Sequence, residues 1–213
     1  MVVMDPFTGE ILAMANFPVF DPQQVGSSTP EQRRNRVITD FYEPGSIYKP
    51  IIWSAATQMG LARPNEMIDC TSGMWVTSAG RRLHDAHGNG MQTWAGVLLK
   101  SSNIGMAKIG ERMGATRMYR AVTAFGFGSP TGIGLEGESA GMVNQLRRWN
   151  TYSISSVPMG QEVGVTLLQM ARAFCAFAND GWLVRPTIRA IEDRSQLGPL
   201  TSPVASSAPK YPV

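Results

Sequence analysis

Glu43-Pro44-Gly45-Ser46-Ile47-Tyr48-Lys49-Pro50 is a turn running into a helix start, and it sets a serine and a lysine three residues apart. On a helix that spacing puts both side chains on one face. A serine hydroxyl is a poor nucleophile at neutral pH unless a base stands beside it, and the orphan N–H groups of a helix N-terminus are ready donors for a developing oxyanion. Ser46 has the location for both. Pro50 fits the first turn, because the amide it lacks would have bonded only the carbonyl of Ser46. With seventeen Ser and four Lys in the chain, about a third of one Ser-x-x-Lys match is expected by chance, so context has to decide. Ser207-Ala208-Pro209-Lys210 also matches, but in a Pro-rich segment unsuited to a helix, and it is set aside.

The context at Ser46 is a second motif, Ser101-Ser102-Asn103, in a tight connection between two predicted helices. Read alone, it is a helix stop followed by an N-cap. Read with Ser46 and Lys49, it makes Ser101 a proton relay near Lys49 and Asn103 a hydrogen-bond anchor for a substrate amide.

Working outward, Met1 to Ala15 alternates around the turn cluster Asp5-Pro6-Phe7-Thr8-Gly9 and predicts a β-hairpin. Ser28-Thr29-Pro30-Glu31 has capping-box spacing with proline in the first turn, and predicts a helix ending near Tyr42. Further helices are expected over 46–60, 92–100, 104–113 with Gly114 as stop, and 116–125. Residues 63–90 read as an irregular excursion with a short hairpin near Met74–Val76. A long apolar-faced helix is predicted from Thr166, whose spacing to Gln169 repeats the capping box, to the Asn179-Asp180-Gly181 stop. A short strand is expected after Arg185-Pro186. The reading is one folded block over 1–194 and a disordered Ser/Pro/Ala tail over 195–213.

Composition narrows the function. Nineteen basic against sixteen acidic residues leave a net charge of +3, and the Arg clusters carry no interleaved aromatics, so a nucleic-acid face is not expected. Cys70 and Cys175 fit neither a metal nor a redox spacing, and two buried thiols are the default reading, with a disulfide left open. His84 and His87 read as a solvated turn, not a zinc site. No metal and no cofactor is called. The apolar runs are too short to cross a bilayer, no signal peptide opens the chain, and its abrupt start in a strand suggests a cut through a longer protein.

Ser46, Lys49 and Ser101-Ser102-Asn103, in this order, resemble the first two motifs of the penicillin-recognising acyl enzymes. Val3 to Met14 resembles the opening strand pair of the class B penicillin-binding protein transpeptidase domain, and Asn35 to Asp40 the helix before its nucleophile. Thr131 to Glu138 and Gly160 to Thr166 continue the likeness, and Glu43 before Pro44-Gly45-Ser46 resembles the division-specific branch. The resemblance implies a penicillin-binding protein/β-lactamase-like α/β (α+β) fold, a helical cluster against an antiparallel sheet that is incomplete here. It implies a peptidoglycan D,D-transpeptidase working on D-Ala-D-Ala stem peptides, with Ser46, Lys49 and Ser101 catalytic and Asn103 substrate-binding. β-Lactams are the implied inhibitors and division-machinery membrane proteins the implied partners. The implied location is the cytoplasmic membrane, with the domain outside the cytoplasm.

The family's third motif, Lys-Thr-Gly or Lys-Ser-Gly, follows none of Lys49, Lys100, Lys108 or Lys210. The expectation is therefore a C-terminally truncated domain of little or no activity. Two other readings stay open: a serine β-lactamase-like hydrolase, separable by its deacylation rate, and a non-catalytic remnant that acts only by binding.

Overall fold

The computed structural model describes residues 1–191 and 202–203. Helices alternate with short strand pairs, five of them antiparallel, with a one-residue parallel bridge between Glu10 and Thr187, an α+β architecture. The chain forms two compact units, each built from separate segments.

One unit holds Met1–Tyr42, Gly126–Met142 and Val165–Val204. Its hairpin pairs Val2–Met4 with Ile11–Met14, as expected, because Asp5 Oδ1 accepts from the amides of Phe7 and Thr8 and closes the turn. The helix Leu167–Ala178 starts in the predicted capping box: Thr166 Oγ1 accepts from the Gln169 amide, and the Gln169 side chain accepts from the Thr166 amide. Leu168 on that helix joins Val37, Ile38 and Ile133 in a buried cluster, on which Val2, Met4, Ile11 and Met14 of the hairpin pack. The alternating pattern of the first strands is thus the hairpin's way of burying one face.

The helix predicted to run to Tyr42 is instead two single turns, Pro30–Arg33 and Arg36–Thr39, followed by a strand at Phe41–Tyr42. Its capping box is Thr29 with Gln32, not Ser28 with Glu31. The break falls at Arg34 and Asn35, which leave helical geometry. Nearby, Asn16 reaches back to bond both the Asn35 side chain and the Val37 amide. Asn16 thus satisfies the Val37 amide at the start of the second turn, which a continuous helix would have bonded to the Arg33 carbonyl. Val163–Thr166, read only as a helix approach, contains a strand that pairs Val165 and Thr166 with Tyr42 and Phe41. The strand expected after Pro186 lies before it, at Trp182–Leu183, paired with Ser202–Pro203. Apart from those two residues, the tail over 195–213 lies outside the described residues.

The other unit holds Glu43–Phe125 and Val143–Gly164 of the described chain. The helix Lys49–Gln58 buries Ile51, Ile52, Ala55 and Ala56, and Trp94 stacks on Trp53 while donating its Nε1–H to Thr57 Oγ1. Residues 63–90 carry the predicted hairpin, Met74–Val76 with Arg82–His84. A second ladder, Met67–Asp69 with Met91–Thr93, was not expected. The two helices read on either side of Gly114 form one element, Asn103–Ala124, that departs from helical geometry at Gly114 (φ +71°), so the break is where glycine put it. A helix not anticipated, Thr151–Ser156, packs close on this element: a Cβ at Gly110 would meet the Ile154 carbonyl oxygen at 2.5 Å and Pro158 at 2.7 Å. Cys70 here and Cys175 in the first unit are both buried free thiols.

Candidate active site

The turn that carries Ser46 is a 3-10 segment, Gly45–Tyr48, which passes directly into the helix Lys49–Gln58. Ser46 is exposed on it, and helix geometry leaves the Ser46 amide without an acceptor one turn back. The turn is clamped from Gly160–Glu162. The Gly45 amide donates to the Gly160 carbonyl at 3.0 Å, and the Glu162 amide donates to Glu43 Oε1 at 2.8 Å. Gly160 lies so close to Gly45 that a Cβ would sit 2.1 Å from the Gly45 oxygen, and its φ of +75° already asks for glycine. Glu162 is itself left-handed (φ +59°), and its carboxylate accepts from Ser153.

Lys49 is almost fully buried, at 1% exposure. Its ammonium donates to the Ser101 carbonyl at 2.5 Å, to Ser101 Oγ at 2.9 Å and to Asn103 Oδ1 at 2.8 Å. Three of the four predicted site residues therefore meet. Those bonds use every donor an ammonium has, and no bond joins Lys49 to Ser46. The direct Ser46–Lys49 contact expected from their spacing is not made by the charged lysine, because a lone pair able to accept from the serine exists only once the proton is lost. Burial favours that loss: desolvation lowers the Lys49 pKa from 10.5 to about 8, opposed by the charge of Asp85.

The Ser101-Ser102-Asn103 connection is both a helix stop and an N-cap, as its composition allows. Ser102, fully buried, accepts from the Gly105 amide. Ser101 has φ +53°, and this left-handed residue offers its carbonyl and hydroxyl to Lys49 together. Beneath the turn is Asp85, whose carboxylate accepts from the amides of Asn103 and Ile104 and from Ser102 Oγ. Asn103 Nδ2 donates to the His84 carbonyl, so its Oδ1 is aimed at Lys49. The segment read as a solvated His turn thus supports the site through Asp85 and a backbone oxygen. Glu43, Gly160, Glu162 and Asp85 were missed as site residues, since what each does depends on a partner 17 to 119 positions away. The one available signal was the pair of glycines at 45 and 160.

The family described as the penicillin binding protein transpeptidase domain matches residues 1–210. A probable peptidoglycan D,D-transpeptidase, PbpC, of Pseudomonas aeruginosa is 38% identical over 86% of this chain and 32% of its own length. Penicillin-binding protein PbpB of Mycobacterium tuberculosis is 40% identical over 88% and 28%, and peptidoglycan D,D-transpeptidase FtsI of Escherichia coli is 35% identical over 87% and 31%. The chain thus spans about a third or less of the length of these relatives. Among solved structures, the apo transpeptidase domain of Burkholderia pseudomallei penicillin-binding protein 3 superposes with a TM-score of 0.84 at 34% identity, over 96% of this chain and 56% of that one. Penicillin-binding protein 3 of M. tuberculosis, complexed with aztreonam, gives 0.80 at 40% identity, over 87% and 42%. The chain belongs to the penicillin-binding protein transpeptidase domain family.

Proposed function

We propose that this chain is the nucleophile-bearing part of a peptidoglycan D,D-transpeptidase of the division-specific branch, and that Ser46, Lys49 and Ser101 carry its acyl transfer. The observation that supports this most is the buried Lys49, held between Ser101 and Asn103 and already tuned toward its neutral form. At pH 7 a lysine of pKa about 8 is neutral in roughly one molecule in ten, enough to serve as a base. Neutral Lys49 takes the Ser46 hydroxyl proton as Oγ attacks the carbonyl carbon of the penultimate D-Ala. The Ser46 amide, free at the start of its turn, donates to the oxyanion that forms. Ser101, within hydrogen-bond reach of Lys49 Nζ, relays the proton to the departing D-Ala amine, and Asn103 holds the stem-peptide backbone. An amine of a neighbouring strand then attacks the Ser46 ester and frees the serine.

Relatives solved with aztreonam and ampicillin support β-lactams as inhibitors of the same serine. Division-machinery membrane proteins and a place at the outer face of the cytoplasmic membrane are proposed for the whole protein on the strength of its relatives. No helix among the described residues is long and apolar enough to cross a membrane.

None of the four lysines of the chain opens a Lys-Thr-Gly or Lys-Ser-Gly sequence, the motif that completes the site in the family. Loss of a single oxyanion donor costs about a hundredfold to a thousandfold in rate. The purified 213-residue chain should therefore react slowly with a fluorescent penicillin, only at Ser46. Stoichiometric labelling at the family's ordinary rate would refute the inactivity. Absence of any Ser46-dependent labelling, even after long incubation, would favour the binding-only remnant.

A further inference from the structure

Asp85 takes four hydrogen bonds: from the Asn103 amide at 2.5 Å, the Ile104 amide at 3.1 Å, Ser102 Oγ at 2.6 Å and Asn89 Nδ2 at 2.9 Å. Three of these come from consecutive residues, 102, 103 and 104, and they begin immediately after Ser101. Ser101 is left-handed, a conformation that costs a residue other than glycine about 1–2 kcal/mol and persists only where neighbours over-determine it. The side chain pinned on the far side of that turn is what presents Ser101 and Asn103 to Lys49.

We propose that Asp85 is a positioning residue for the acyl-transfer site: it fixes the Ser101-Asn103 turn around Lys49 and supplies the negative charge that bears on the lysine. The proposal rests on the reading of Lys49 as the base. The two roles oppose each other usefully. The bonds assemble the lysine's partners, while the charge favours its protonated form and so keeps burial from neutralising it fully.

The other titratable groups around this turn do not supply that charge. Tyr48 and Cys70 are pushed up by burial and stay neutral through pH 8, Lys108 donates to the Asp69 carbonyl, and His84 enters through its backbone oxygen. The charge of Asp85 favours the protonated form of Lys49. A residue that only capped the helix, with no charge within reach of Lys49, would hold Asn103–Ala124 equally well, yet its removal would leave the lysine's titration where it was.

The test follows Lys49 directly, by NMR titration of the lysine ε-ammonium signals. The chain has four lysines, and Lys49→Met identifies the relevant one. In Asp85→Asn, which keeps one acceptor oxygen for the Asn103 and Ile104 amides, the Lys49 midpoint should fall below that measured for the wild type. Ser102→Ala keeps the charge and loses both the tie to Asp85 and the cap on the Gly105 amide. Its Lys49 midpoint should stay in place, while amide exchange at Asn103 and Ile104, which bond Asp85 and not Ser102, speeds up and Ser46 labelling by penicillin slows about tenfold or more. An unmoved or raised Lys49 midpoint in Asp85→Asn, with the turn amides still protected, overturns the proposal. So does a Ser102→Ala variant with wild-type exchange and labelling. Should Asp85→Asn fail to fold, the Ser102→Ala outcomes still decide whether the tie positions the turn. If wild-type Ser46 never labels, the functional reading fails, whereas the titration and exchange arms still decide the role of Asp85.

Discussion

Gly160→Ala should damage this protein out of proportion to the single methyl it adds. At φ +75° an alanine pays about 1–2 kcal/mol for its left-handed backbone. The methyl would also stand 2.1 Å from the Gly45 oxygen and 2.7 Å from its nitrogen, and both are backbone atoms that cannot swing aside. Relief requires the two segments to part, which breaks the Gly45–Gly160 hydrogen bond, worth about 1 kcal/mol, and leaves packing strain of roughly 1–3 kcal/mol. The expected loss is about 3–6 kcal/mol in denaturant unfolding. Gly80→Ala is the control, since it too has a positive φ (+79°) but open space around its Cβ, and should lose only about 1–2 kcal/mol. Ser46 sits next to the displaced residue, so penicillin labelling of Gly160→Ala should fall about a hundredfold, in line with a shift near 1 Å. If Gly160→Ala unfolds within about 0.5 kcal/mol of Gly80→Ala, the clamp on the Ser46 turn is not what this packing indicates.

Other outcomes follow from the same contacts. Lys49 is held below its unfolded pKa, so between pH 8 and about 10 the unfolded chain binds the proton and the folded chain does not. Wild type should therefore gain stability over Lys49→Met as pH rises through that window, approaching about 3 kcal/mol, and a flat or falling difference would contradict the burial of a titrating lysine. Ser46→Ala should abolish penicillin labelling yet leave unfolding unchanged to about 0.5 kcal/mol, since the exposed hydroxyl bonds to nothing among the described residues. Glu43→Ala removes the acceptor of the Glu162 amide and should cost about 1 kcal/mol while slowing labelling; full labelling would show that the Gly45–Gly160 bond holds the turn alone. Glu138→Gln, in the other unit, loses the charge that accepts from Thr131 and Gly132 and that favours the buried Arg172 cation. It should cost about 2 kcal/mol in unfolding.

What the sequence made legible was local. The hairpin turn at Asp5–Gly9, the Thr166–Gln169 capping box, the break at Gly114 and the Ser102 N-cap are all closed by bonds between residues two to fourteen apart, and such bonds leave a pattern in the string. Ser46, Lys49, Ser101 and Asn103 were proposed on motif spacing, and of these Lys49, Ser101 and Asn103 are joined by hydrogen bonds. The misreadings have the opposite character. Residues 30–42 have the spacing of one helix, yet Asn16, some twenty residues before the break, takes the Val37 amide and Arg34 and Asn35 leave helical geometry, so two short turns stand in its place. Val163–Thr166 reads as an approach to a helix because its strand partner lies more than a hundred residues away, at Phe41–Tyr42.

The same distinction explains why the chemistry of Lys49 could be placed but not tuned from the string alone. Its identity as the residue three after Ser46 is a matter of spacing. Its pKa depends on the burial of its side chain and on having its ammonium among three oxygens, with the Asp85 carboxylate acting on it. Replacing that environment by water would return the lysine to about 10.4, where fewer than about one molecule in a thousand is neutral at pH 7. The fold therefore supplies a factor of roughly two hundred in available base without altering a covalent bond. That factor is contributed by residues no catalytic motif names, and Asp85, which limits it, is one of them. Mutations in the packing around Lys49 should accordingly change the pH at which Ser46 reacts before they change whether it reacts.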